Sequence, residues 1–140
     1  MATISDATLE IKNVDDKNVQ ATVNYTLNAD NTEQLAQSVF NDFVELLGDD
    51  SGTQTTVFTY PSGAKPSQFA VSQSTPTVAR SRTQTIAKST LNEDPGFLAN
   101  GAEDPDEILA RITVTYVANQ PTGAVAPAPL TTTIQKGAWR

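Results

Sequence analysis

Residues 19–27 read VQATVNYTL. Val19, Ala21, Val23, Tyr25 and Leu27 alternate with Gln20, Thr22, Asn24 and Thr26. Successive side chains of an extended chain point to opposite faces, so this period of two predicts a strand with one face buried and the other in solvent. Just upstream, Asp15-Asp16-Lys17-Asn18 is a polar turn. Before it, Ala7, Leu9 and Ile11 alternate with Thr8, Glu10 and Lys12, which predicts a first strand over 3–12 and a hairpin between the two.

Downstream, DNTEQLAQ at 30–37 suits a short helical turn or an ordered loop. SVFNDFVELL at 38–47 admits two readings. Its short length and its β-branched and aromatic content favour a strand buried on both faces; the rival is a helix over 32–47 capped by Asn31. A turn at 48–52 leads to a strand at 54–60 that stops at Pro61. Three prolines fall in 61–77, where a short edge strand at Phe69-Ala70-Val71 fits. A long strand over 78–90 places Val78, Arg80, Arg82, Gln84, Ile86 and Lys88 on one face. Residues 91–107 form an acidic loop, followed by a strong strand in which Ile108, Ala110, Ile112, Val114 and Tyr116 alternate with the opposite face. Residues 119–130, NQPTGAVAPAPL, read as an extended Pro/Ala segment, and 131–140 as a last or exchanged strand with Ile134 inward.

About seven short strands within 140 residues predict one all-β domain over 1–140. The expected architecture is a two-sheet antiparallel sandwich of immunoglobulin or fibronectin type, with a small β-barrel as the alternative. Twenty threonines, with few Lys, Arg, Met or Glu, agree with this.

Composition removes several kinds of chemistry. The chain has no Cys and no His, so Cys- or His-based metal centres, disulfides, a Ser-His-Asp triad and a Cys-His pair are excluded within it. Its formal charge of -7 argues against nucleic acid and anionic membrane surfaces as partners. The opening MATISDATLEIK has neither a basic nor an apolar leader region. The expected protein is therefore made in the cytoplasm without a Sec signal, as part of a virion or of a leaderless secreted assembly.

Two constellations stand out. Asp49, Asp50, Asp94, Asp104 and Asp106 lie in turns that an up-and-down strand order gathers at one pole. Ca²⁺ takes six to eight oxygen ligands, and such a pole can supply them. Ordinary solvated turn chemistry accounts for the same residues. The second is the Arg80, Arg82 and Lys88 stripe, read either as a solvated strand face or as a basic patch that meets the acidic pole of a neighbouring copy. Ile134 and Trp139 in the tail complete the assembly surface, or else the core of their own chain.

The first expectation for function is a non-enzymatic structural or assembly subunit of a particle, tube, filament or injection apparatus. It would associate with copies of itself or other protein subunits through its sandwich surface and C-terminal segment. The alternative is a monomeric binding module, Ca²⁺-dependent in one form, that recognises a protein or glycan through its loops. Carboxylate catalysis is disfavoured because the acidic residues lie in loops with few aromatic neighbours.

Overall fold

The structure, a computed structural model, describes residues 1–50, 52–92, 106–137 and 139. Strands β1 (Thr3–Asn13) and β2 (Asn18–Asn28) form the first hairpin. A six-residue helix α1 (Asn31–Ala36) leads into β3 (Val39–Asp50) and β4 (Thr53–Thr59). A single turn α2 (Ala64–Ser67) precedes the three-residue β5 (Gln68–Ala70). Then come β6 (Thr77–Ala87), the turn α3 (Lys88–Leu91), β7 (Asp106–Ala118), β8 (Leu130–Thr131) and β9 (Gln135–Gly137).

The strands build two antiparallel sheets. One has the order β1-β2-β6; the other has the order β4-β3-β7-β8, with β5 also on β3 and β9 also on β7. They pack face to face as a sandwich, with no closed barrel, as the alternation predicted. The inward residues of β2, Val19, Ala21, Val23, Tyr25 and Leu27, are buried. They meet Phe40, Val44 and Leu46 of β3 and Ile108, Ala110, Ile112 and Val114 of β7 in one core cluster. In an immunoglobulin constant domain the fourth strand crosses to lie beside the fifth. Here β4 stays with β3, so the sheet of β1 and β2 ends on β6.

Residues 39–50 are a strand, and the helix reading of 32–47 fails for a local reason. Asp30, not Asn31, caps α1: its side chain accepts from the Glu33 N–H at 3.0 Å, while Glu33 Oε1 accepts from the Asp30 N–H at 2.9 Å. This reciprocal box fixes the helix start. Gln37 then takes a left-handed conformation (φ 54°) that ends the helix after less than two turns. Burial on both faces of β3 holds for Val44 to Gly48, whereas Phe43 remains 40% exposed. The strand expected over 78–90 stops at Ala87, where the chain turns to bury Leu91. Residues 119–130 run without regular structure up to Leu130, apart from a turn at Thr122-Gly123. No helix of the described residues is long and apolar enough to cross a membrane.

Val23 and Ile112 are both fully buried. Val23→Ala should cost on the order of 1–3 kcal/mol, and Ile112→Val about 0.5–1.5 kcal/mol, through lost transfer energy and residual cavity. Denaturant titration of both variants checks this, and unchanged midpoints would contradict the core assignment.

Candidate functional site

The polar centre of the molecule lies inside it. Asp42 takes an inward position of β3, between Phe40 and Val44, and is fully buried. Its partners come from the facing sheet. Tyr25 on β2 donates its hydroxyl to Oδ2 at 2.5 Å. Arg82 on β6 donates through one guanidinium nitrogen to Oδ1, and through the other to the Pro61 carbonyl. Arg80, two residues earlier on the same face, reaches Oδ2 at 3.4 Å and the Pro66 carbonyl at 2.8 Å. Its guanidinium carbon lies 4.6 Å from the centroid of the Phe69 ring. A buried carboxylate is tolerable only when charge and hydrogen bonds compensate its lost hydration. The two arginines and the tyrosine supply that compensation.

Arg80 and Arg82 therefore do not form the outward patch expected of them. The shared face of Val78, Arg80, Arg82, Gln84 and Ile86 is real, but it is the core face: Ile86 is buried and Val78 packs against the core cluster. Lys88 has left the strand and stands at the start of α3, where its N–H donates to the Lys17 carbonyl at 2.8 Å. With Asp16, Lys17, Asn18, Ala87 and Ser89 it lines an open groove of about 440 Å³.

Two further carboxylates are consumed by internal bonds. Glu33, besides its capping role, accepts from the Ala2 N–H at 3.1 Å and from the Tyr116 hydroxyl, which ties the start of β1 and helix α1 to β7. Glu45 accepts from Arg111 Nε at 2.7 Å, from a second nitrogen of the same guanidinium, and from the Thr56 hydroxyl at 3.0 Å. Arg111 and Glu45 are register partners on β7 and β3, so this forked pair bridges neighbouring strands.

The acidic pole forms only in part. The Tyr25–Asp42 contact sets the end of β2 over the start of β3, so the β1–β2 and β3–β4 turns share one end of the sandwich. The pairing of Gly48 with Ile108 brings Asp49, Asp50 and Asp106 to that same end. Asp94 and Asp104 lie outside the described residues. Among the described residues no group of three acidic side chains is placed to hold a metal ion. Asp106 is fully buried, and Asp49 is half-buried, its Oδ1 without a hydrogen-bond partner among the described residues. In the β1–β2 turn, Asp15 accepts from the Lys17 and Asn18 N–H groups at 2.8 and 2.9 Å. The Lys17 N–H is the main reason that its carboxyl lies below the ordinary aspartate range.

The tail docks on its own chain. Leu130 and Thr131 pair with Ile112 and Arg111, and Gln135 to Gly137 pair with Ile108 to Asp106. Ile134, expected inward, lies between β8 and β9 and is 40% exposed. The inward role falls to Thr132, which is buried and exchanges bonds of 2.9 Å with both the N–H and the carbonyl of Ala110. Trp139 is half-buried, packed against the core and across Gly137, where an added Cβ would come within 2.5 Å of the indole ring.

No family model and no curated protein matches the sequence. Among solved structures, a solution structure of a protein described as late embryogenesis abundant (LEA) is similar at 15% identity, over 97% of this chain and 70% of that one, with a TM-score of 0.47. A likeness of that size transfers no functional meaning to this chain.

Removing one side of the polar centre should be severe. Asp42→Ala would leave the buried Arg82 uncompensated, and a loss of about 3–5 kcal/mol is expected in a denaturant titration. A loss below about 1 kcal/mol would mean that water already screens the site.

All three tyrosines resist ionisation. Burial pushes the hydroxyls of Tyr25, Tyr60 and Tyr116 above the ordinary value of 10.0, and the carboxylates of Asp42 and Glu33 add to this at Tyr25 and Tyr116. The folded chain thus holds its phenolic protons at a pH where the unfolded chain releases them. Their contribution to stability is complete below pH 10 and declines as pH rises beyond it. Tyrosinate absorbance should appear together with loss of the near-ultraviolet circular dichroism; a normal phenolic titration in the folded protein would contradict the burial described.

Proposed function

We propose that the chain is a non-enzymatic structural or assembly subunit, part of a particle, tube, filament or injection apparatus. Its partners are copies of itself or other protein subunits. The observation that carries this reading is the attachment of the C-terminal segment: among the described residues, two in β8 and three in β9 pair with β7. A last strand held so lightly, and carrying an exposed Ile134 and an aromatic anchor in Trp139, suits exchange onto a neighbour. The use of Glu33, Asp42, Glu45 and Arg82 in internal bonds that join elements distant in sequence supports a structural role for those groups. With Arg80 and Arg82 inside, association through opposite surface patches loses its main basic side. The acidic charge disfavours nucleic acid and anionic membranes as partners.

Light scattering tests the reading. The chain should scatter as a multiple of 14.9 kDa, and deletion of 131–140 should leave it folded with a smaller assembly mass. A stable 14.9 kDa species at high concentration would favour the alternative, a monomeric module recognising a protein or glycan, with Ca²⁺ as its cofactor in the form that uses the acidic pole.

A further inference from the structure

Among the described residues, every sheet edge except one carries a device that discourages pairing with another chain. β1 shifts register between Ser5 and Thr8, with Asp6 at φ 54°, and presents Glu10 and Lys12. β4 shifts register opposite Leu46 and Leu47 and is followed closely by Pro61. β8 and β9 are two and three residues long. Bulges, charges, prolines and short lengths are the means by which edge strands avoid templating another strand.

Along its own length β6 has none of them, and its one proline, Pro76, stands just before its first residue. Its eleven residues run in unbroken register with β2, without proline or bulge. Its outward side chains are Thr77, Ala79, Ser81, Thr83, Thr85 and Ala87, all small and uncharged. The neighbouring outward positions of β2, Gln20, Thr22, Asn24 and Thr26, are uncharged as well, in a chain with 25 charged residues, the 9 Lys and Arg and 16 Asp and Glu. Among the described residues, no backbone hydrogen bond reaches the outer edge of β6, because β4, which could have covered it, pairs with β3. Inward arginines can deter edge pairing, but Arg80 and Arg82 are already held by Asp42 and by the carbonyls of Pro61 and Pro66.

We propose that β6 pairs antiparallel with β6 of a second copy about a twofold axis, joining two three-stranded sheets into one of six strands. The inference rests on the assembly reading above and adds a twofold contact to the one through the C-terminal segment. A second copy is the occupant because an antiparallel strand is its own complement: under a twofold axis each donor meets an acceptor, and the contact closes at two subunits. The uncharged edge also lets two chains of charge -7 approach without opposing carboxylates. In full register the pairing supplies about ten backbone hydrogen bonds, the number in a typical protein interface.

The test compares the full chain with Ala79→Lys/Thr85→Lys, which face each other in full register and place like charges about 5 Å apart across the pair. Thr55→Lys on β4 is the control. By sedimentation and light scattering the double variant should have half the mass of the unaltered chain, with unchanged melting, while the control keeps full mass. In the unaltered chain the outer amides of β6 should exchange slowly with deuterium, and in the double variant quickly. Fast exchange of those amides in an unaltered chain that is oligomeric overturns the edge pairing but leaves the assembly reading standing. The same holds for an oligomer mass that survives the substitutions. A monomeric unaltered chain overturns both. If the double variant fails to fold, exchange in the unaltered chain decides alone.

Discussion

A single carboxylate sets the relation between the two sheets. Asp42 sits at an inward position of β3, and its hydration must be replaced from the opposite sheet, since its neighbours along the strand are Phe40 and Val44. Tyr25 and Arg82 meet it at one offset of β2 and β6 against β3. Apolar faces alone tolerate many offsets, because the hydrophobic effect is non-directional. Charge-assisted bonds across the core do not. Arg82 and Arg80 then extend the constraint by fixing the Pro61 and Pro66 carbonyls, so the segment between β4 and β5 is held against the side of the sandwich by the same centre.

Much of this was legible in the sequence. The alternation of 19–27 and of 108–116 located the core strands, because burying one face of a strand imposes a period of two that few other structures produce. β3 was harder: strand and helix templates both fitted SVFNDFVELL. The Asp30–Glu33 capping box starts the helix, and what decided between the readings was Gln37, whose left-handed conformation ends the helix before that run. The face shared by Arg80 and Arg82 was read correctly and its direction wrongly. Charged residues are mostly exposed, and only two signals argued otherwise: Val78 and Ile86 on the same face, and the lone Asp42 within an apolar strand needing a countercharge. Neither identifies its partner without the sheet topology. The tail failed for a similar reason. Ile134 is the natural inward residue by hydropathy, but β7 offers its bonds to Thr132, whose backbone N–H donates to the Ala110 carbonyl while its hydroxyl accepts from the Ala110 N–H, and Thr132 takes the buried place.

The acidic residues divide into two populations with different physics. Glu33, Asp42 and Glu45 are buried and act as interior acceptors that connect elements distant in sequence. Asp15 closes a turn from the surface, where two backbone N–H groups satisfy it. Asp42 and Glu45 are already matched by Arg80, Arg82 and Arg111, so the acidic surplus behind the formal charge of -7 is carried by groups outside these pairs.

The position of Trp139 has a practical meaning. It is the chain's one tryptophan, and it is packed against the core beyond the last strand, across Gly137. Indole emission responds to local polarity, so the intrinsic fluorescence of this protein reports on its last few residues and hardly at all on the sandwich centre. A shift to longer wavelength at low denaturant, ahead of any loss of β-sheet signal, would register the tail lifting from β7 as a separate event. The molecule carries its own optical label on its terminal segment.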